Sequence, residues 1–275
     1  MKKSIAKQYF IKIFYVLLAL LFLCVIGFNI FLLVNRIRSH QNTVSDIEEI
    51  NKIASQTNSE EKSYEGKNSE VLDSPTSNTD YFNYIKIPIS EFDLKKFKEI
   101  NSDTVGFLSV LGTKINYPVT QSKDNDYYLT HSFKKSDSSA GWVFMDYRND
   151  SQNFGRNTII YAHSNLDKTM FGSLSNVLHA DWVNNKENGT VKFANSKGIS
   201  KWKIFSVYTI PAEFEYIRTK FKSSEDYRTW AEKMSQRSKY NFGYKFDKDE
   251  KVMTFSTCYD NARDLRLVVH AKFCN

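Results

Sequence analysis

The first pattern along the chain is a block with no polar face at all. From Ile13 to Val34 it reads IFYVLLALLFLCVIGFNIFLLV, 22 residues without a charge. At a rise of 1.5 Å per residue a helix of that length covers about 33 Å, enough for a hydrocarbon core of roughly 30 Å. The run is longer than the apolar region of a cleaved leader and has no small-residue cleavage site, so it predicts a retained anchor. Lys2, Lys3, Lys7 and Lys12 precede it, against Arg36 and Arg38 after it. That bias predicts a single-pass protein with a cytoplasmic N-terminus and an extracellular body. Over residues 39–57, Val44, Ile47, Ile50 and Ile53 recur near a helical spacing with Asp46, Glu48 and Glu49 between them. This predicts a short amphipathic juxtamembrane helix. The polar stretch that follows, to residue 80, is rich in Ser, Asn and Glu and reads as a flexible tether. The expected division is therefore a cytoplasmic segment 1–12, an anchor 13–34, a helix and tether 35–80, and a folded body 81–275.

From Tyr81 the period changes. The segments 81–89, 104–111, 114–120, 141–146, 157–163, 189–194, 201–210, 251–258 and 265–273 have β-branched or aromatic density at strand length. In the last of them Leu267, Val269, Ala271 and Phe273 form an apolar face, while Arg266, His270 and Lys272 point the other way. Helical patterns intrude at 91–99, around 124–131 and at 167–177. The clearest is 223–240, which opens on Ser and Glu capping signals and sets Tyr227, Trp230, Ala231 and Met234 at helical spacing. Many short strands in one body predict a mainly β fold, a closed barrel of about eight strands with peripheral helices.

Charge changes the picture only once it is divided. The net charge is +7. Residues 1–40 carry +6, residues 41–80 carry −6 and residues 81–275 carry +7, the last from 29 basic and 22 acidic groups with both signs interleaved. A polyanion-binding surface concentrates its cations, so no nucleic-acid partner is expected. Three Cys cannot build a disulfide framework. Cys24 is an apolar filler inside the anchor. Cys274 is expected to stay unpaired. In a hairpin that turns between Cys258 and Arg266, Cys274 would lie about 26 Å along the return strand, far beyond disulfide reach.

The candidate chemistry is narrow. The histidines and cysteines outside the anchor show no CxxC, HxH or HExxH spacing, so no metal is expected. There is no Gly-rich phosphate loop and no GxSxG elbow. A thiol with possible partners remains. Cys258 ends the strand KVMTFSTC before a polar YDNARD, and His163 ends TIIYAH before SNLDK. Arg266 opens the final strand, so a hairpin brings it back to Cys258. On these features alone a nucleophile and an inert cysteine are both open readings.

The local words carry a resemblance. Thr254-Phe255-Ser256-Thr257-Cys258 resembles the TLxTC signature of sortases with Phe for the usual Leu, and Tyr161-Ala162-His163 resembles their strand-end YGH. The strand at Arg266-Leu267-Val268-Val269 resembles their arginine strand. The order His, Cys, Arg and the N-terminal anchor also match, and the helix at 223–240 is similar to the insertion of class B sortases. The resemblance implies a cysteine transpeptidase of the class B type. Such an enzyme cuts a C-terminal sorting signal of secreted proteins and joins the threonine carboxyl to a peptidoglycan amine. It implies Cys258 as nucleophile, His163 as proton donor and acceptor, and Arg266 as donor to the substrate or oxyanion. Asn125, Leu129, Tyr216, Ile217 and Ser256 would form the substrate groove. No cofactor is implied, and the enzyme would work as a monomer held at the cell membrane. Two rivals use the same residues differently: an anchored cysteine protease releasing its peptide to water, and an adhesion module in which Cys258 is incidental.

Overall fold

A computed structural model describes residues 2–59, 94–246, 250–260 and 264–274. The expected strand at 81–89 and the tether beyond Ser59 lie outside the described residues, as does the start of the helix expected at 91–99. A single helix, α1, runs over Lys2–Ser59. The folded body contains a short helix α2 (Lys95–Ile100) and strands β1 (Thr104–Val110), β2 (Asn116–Thr120), β3 (Phe144–Met145) and β4 (Asn157–Tyr161). After them come helix α3 (Ala180–Asn184), strands β5 (Thr190–Asn195) and β6 (Gly198–Pro211), helix α4 (Ser224–Gln236), and strands β7 (Val252–Asp260) and β8 (Leu265–Phe273). The eight strands close into a barrel in the order β1-β2-β3-β4-β7-β8-β6-β5. Closure leaves no open sheet edge.

Alternation decides what fills it. Leu108, Val119, Ile160, Phe193, Ile204, Phe255, Leu267, Val269 and Ala271 are buried in one cluster. Phe255 takes the larger space against Phe171, with ring centroids 5.9 Å apart edge to face. Phe205, Tyr208, Val252 and Val268 belong to a second cluster with Tyr227, Trp230, Ala231 and Met234 of α4. The start of α4 is fixed by the Ser223 hydroxyl, which accepts from the Asp226 amide at 3.1 Å. The insertion helix thus covers the outside of β6, β7 and β8. Its presence changes the fate of the polar row on β8. His270 points away from the barrel interior, as its alternation requires, yet it is fully buried.

A directed chain of hydrogen bonds makes that burial tolerable. Asn157 gives its amide hydrogens to the carbonyls of Tyr216 (3.2 Å) and Arg218 (2.9 Å), so its Oδ1 accepts from Thr254 Oγ1 at 2.6 Å. Thr254 then accepts from His270 Nδ1 (2.8 Å), and His270 Nε2 lies 2.9 Å from the Tyr208 hydroxyl, which in turn reaches Met234 Sδ at 3.2 Å. Burial and the nearby Arg237 charge push the His270 pKa down to about 3. The unfolded chain therefore binds a proton near pH 6.5 that the folded chain refuses until about pH 3, and stability falls as pH drops below 6.5. We expect the unfolding free energy of the body to drop by about 2 kcal/mol between pH 6.5 and 4.5. Carboxylates held low by their partners, such as Asp103 and Asp146, add their loss only below about pH 4. Urea titrations followed by tryptophan fluorescence check this. A flat stability over that interval would contradict it.

The helical expectations fare unevenly. Around 124–131 and 167–177 the chain forms 3₁₀ turns, Tyr127–Leu129 and Gly172–Leu178, set among loops. The strand expected at 141–146 shrinks to the two residues of β3, because Gly141 turns the backbone at φ +59°. At the N-terminus the apolar side chains from Phe14 to Val34 stand exposed, and α1 is long and apolar enough to cross a membrane. The juxtamembrane pattern continues the same helix and lies on the body: Ile50 and Ala54 are buried, with Ile47 and Ile53 packed beside them. Thr43 Oγ1 meets Ser138 Oγ at 2.9 Å, and Lys134 bridges Glu49 (2.7 Å) and Asp46 (3.2 Å). A stripe of isoleucines gains more by covering the body's apolar surface than by facing water.

Candidate active site

Strand register assembles the three candidate reacting residues. β7 lies between β4 and β8. In the antiparallel β7–β8 pair Cys258 sits directly opposite Arg266, and a bulge follows between Cys258 and Asp260. β7 thus continues two residues past Cys258 rather than ending there, and Arg266 is the second residue of β8. In the parallel β4–β7 pair the last partners are Tyr161 and Ser256. His163 and Cys258 each lie two residues beyond that pair. The strand carrying Cys258 thus runs between the strand that leads to His163 and the strand that carries Arg266.

His163 is held from behind. Its Nε2 lies 2.8 Å from the Leu129 carbonyl. A carbonyl only accepts, so Nε2 carries a hydrogen. The His163 carbonyl accepts from the Phe171 amide at 2.9 Å, fixing the backbone as well. Gly141 fills the space behind the ring. A Cβ there would stand 2.6 Å from the Tyr128 carbonyl oxygen and 2.9 Å from both His163 Cδ2 and the Leu129 carbonyl oxygen. Arg266 is steered by Asp264, with 2.9 Å between Nη2 and Oδ1, and its side chain is 25% exposed.

A cleft of about 310 Å³ opens beside these residues. His163, Arg266, Asn125, Leu129, Tyr216, Ile217 and Ser256 all line it, together with Phe144, Tyr161, Ala162 and Thr257. Every expected groove residue is therefore on one wall or another of the same cavity. Asn125 precedes and Leu129 ends the first 3₁₀ turn, Tyr216 and Ile217 come from the segment leading to α4, and Ser256 comes from β7.

Two residues that organise this cleft, Asp146 and Arg148, have no signature in the sequence. Asp146 is fully buried just after β3. Its carboxylate accepts from Asn125 Nδ2 (3.0 Å), the Tyr161 hydroxyl (3.0 Å), and Arg148 Nε (2.8 Å) and Nη2 (2.7 Å). Arg148 passes the connection on by donating to the Ile217 carbonyl at 3.1 Å. One carboxylate so ties together three stretches of the groove wall. Burial alone would raise its pKa, but the Arg148 fork outweighs it and holds the carboxyl below its ordinary value. Tyr161 is pushed up by burial and by the Asp146 charge, and stays a donor. Thr257, within the motif word that ends on Cys258, has a buried hydroxyl with no hydrogen-bond partner among the described residues. An Asp-x-Arg placed after a strand is too common to have marked Asp146 in advance.

The cysteines separate as geometry requires. Lys272 pairs with Val252, six residues before Cys258, and Cys274 lies beyond it as a free, partly buried thiol at the far end of the hairpin. Burial raises its pKa and makes it unreactive at neutral pH. Among the described residues no three His, Cys, Asp or Glu side chains converge as metal ligands.

This arrangement matches known proteins. The family model described as a sortase domain matches residues 108–274. The sortase B of Listeria monocytogenes is 36% identical over 185 residues, covering 66% of this chain and 73% of that relative. Among solved structures, the Staphylococcus aureus sortase B–substrate complex superposes with a TM-score of 0.60 at 34% identity, over 66% of this chain and 83% of that one. A sortase B complexed with triglycine gives 0.61 at 34% identity, over 66% and 84%. With a closed eight-stranded barrel, the insertion helix before β7 and a strand register that sets a cysteine between a histidine and an arginine, the chain belongs to the sortase family and is a sortase of the B type.

Proposed function

We propose that the protein is a membrane-anchored cysteine transpeptidase acting on a C-terminal sorting signal of secreted proteins. The observation that carries this reading is the register that pairs Cys258 with Arg266, beside a cleft that His163 and Arg266 both line. Cys258 sulfur attacks the carbonyl carbon of the signal's threonine. The thiol's proton passes to His163, the C–S bond forms, the scissile C–N bond breaks, and His163 hands that proton to the departing amine. Because Nε2 is committed to Leu129, the exchanging nitrogen is Nδ1. Arg266 donates to the oxygen on which charge develops, and its guanidinium stays cationic throughout. A cell-wall amine then attacks the thioester, loses its proton to His163 and returns sulfur as the leaving group. No cofactor enters these steps.

The groove residues Asn125, Leu129, Tyr216, Ile217 and Ser256 seat the sorting signal, with Asp146 holding their wall. The relative solved with a substrate and the one solved with triglycine support a peptide donor and an amine acceptor for this chain too. The Lys-rich N-terminus and the apolar run of α1 support an anchor with the body outside the membrane, working as a monomer.

The test is product analysis. The full chain in detergent is incubated with a pentapeptide library, with and without triglycine, and the products are weighed by mass spectrometry. The expected result is a peptide joined to triglycine at its threonine, replaced by the free acid when no amine is present. Hydrolysis at every amine concentration would favour the protease reading. A protein that neither cleaves nor is labelled at Cys258 by a thiol-directed vinyl sulfone would favour the adhesion reading.

A further inference from the structure

Helix α1 touches the body at a place that matters for the histidine. Its turns after the apolar run meet the stretch 130–141, which continues the 3₁₀ turn Tyr127–Leu129 and ends at Gly141 beside the His163 ring. Thr43 Oγ1 lies 2.9 Å from Ser138 Oγ, and one turn earlier Ser39 Oγ accepts from the Ser139 amide at 3.2 Å. Thr43 and Ser138 are 2% and 4% exposed, so water cannot take over when either hydroxyl is removed. Lys134, on the same stretch, holds Asp46 and Glu49 of the following turns.

From Ser138 the path to the histidine is short. The Ser138 amide donates to the Thr130 carbonyl at 2.8 Å, and its carbonyl accepts from the Gly141 amide at 3.1 Å. Its hydroxyl also accepts from the Ala140 amide at 3.2 Å. Trp142 closes the turn by donating its amide to the Tyr128 carbonyl at 2.8 Å. Leu129, between Tyr128 and Thr130, offers the carbonyl that holds His163 Nε2 at 2.8 Å. Gly141 backs the same ring, since a Cβ there would come within 2.9 Å of His163 Cδ2. Ser138 thus receives α1 on its side chain and fixes with its backbone both Gly141 and the neighbour of Leu129. Val34, the end of the apolar run, precedes Thr43 by nine residues of unbroken helix, about 14 Å.

We propose that Ser39 and Thr43 make α1 a positioning element of the active site, clamping the stretch 130–141 so that Leu129 and Gly141 keep His163 aligned for proton transfer. The inference rests on the transpeptidase reading for its kinetic consequence, whereas the holding of the ring is a property of the fold alone. Neither hydroxyl touches substrate. Each acts through the turn behind the imidazole, where a shift of about 1 Å is enough to slow a proton transfer. The reacting centre is complete only with this helix seated, and the same helix ties the turn behind His163 to the end of the apolar run.

The experiment uses the full chain in detergent. Ser39→Ala with Thr43→Val removes both hydroxyls, and Ser39→Thr with Thr43→Ser keeps them. In the first variant kcat for a fluorogenic sorting peptide should fall about tenfold with KM within about twofold, as for a proton carrier displaced and not lost. The second variant should recover most of kcat. On protein carrying 15N-histidine, the Nε2 proton of His163 is identified by its loss in His163→Gln. Its exchange with water should be about tenfold faster in the first variant and restored in the second. Ser138→Ala should lower kcat as well, and adding Thr43→Val to it should cost little more, because one contact is then removed from both ends. A thermal melt accompanies each variant. Unchanged kcat with unchanged exchange, whether or not the melting temperature falls, overturns the proposal and leaves α1 a tether. A raised KM at constant kcat also overturns it, since the contact would then serve the groove at Leu129. A lower kcat with unchanged exchange does so too, because the loss would not pass through His163. A wild type that forms no acyl-enzyme overturns the transpeptidase reading, while the exchange rates still decide whether α1 holds the ring.

Discussion

Cys258→Ala should form no thioester, and turnover of a sorting peptide should fall to background, a loss on the order of 10⁴-fold or more. The register of β7 puts this residue alone between His163 and Arg266. The other cysteine of the body lies at the opposite end of the hairpin and cannot substitute for it. His163→Ala should cost about 10²- to 10⁴-fold, the usual worth of a placed proton donor. Arg266→Lys should lose roughly 10²-fold, because an ammonium cannot reproduce a planar fork aimed at an oxyanion. The His163 and Arg266 side chains are partly exposed, so their variants should keep the wild-type circular dichroism and lie within about 1 kcal/mol in stability. Acyl-enzyme trapping by mass spectrometry reads the first outcome and stopped-flow cleavage the other two. A Cys258→Ala protein that still transfers peptide would end the assignment.

Gly141→Ala should disable the enzyme from a position that touches no substrate. The backbone there has φ +59°, which costs an alanine about 1–2 kcal/mol. The added methyl would press on the Tyr128 and Leu129 carbonyls and on the His163 ring, all closer than 3.0 Å. The ring is the softest of the three, since both carbonyls belong to a packed turn, so it yields first. Displacing it loosens the Nε2 hydrogen bond to Leu129 that orients Nδ1. Misplacement by about 1 Å is enough for a 10²-fold fall in kcat. Binding of the sorting peptide should change less, because of the groove wall only Leu129 meets the added methyl, while Asn125 and Tyr161 are held by Asp146. Kinetics at saturating peptide beside a thermal melt decide the matter. A lowered melting temperature with kcat intact would show that Gly141 serves the turn and not the histidine.

How far the sequence was legible depends on the range of the information. The apolar run of α1, the alternation of the strands and the caps of α4 are local, because each is set by neighbours within a few residues. The words around Cys258 and His163 were legible for the same reason. The groove residues were found through resemblance, and their convergence on one cleft required the chain to close. Long-range partners were invisible. Nothing near Asp146 in the sequence announces that Asn125 and Tyr161 will both donate to it, since those contacts bridge 21 and 15 residues. His270 shows the limit most plainly. Alternation placed it correctly on the outer face of β8, but an outer face meets water only where nothing covers it. The packing of α4 decided that.

The N-terminal stripe teaches the same lesson from the other side. The isoleucines at 47, 50 and 53 predicted an amphipathic helix, and the structure shows what their apolar face is for, a seat on the body below the loop carrying Ser138. By itself the sequence determined the long apolar helix, most of the strands and the insertion helix. Those follow from composition and period over short windows, where local free energy decides. The cysteine, histidine and arginine were singled out by the resemblance of the words around them. Only the tertiary structure decided the order of strands, the pairing of Cys258 with Arg266, the carbonyl that holds His163 Nε2, and the cleft on which the groove residues converge. Each of these depends on registers and packing between residues far apart in the chain, and no local propensity encodes such a distance.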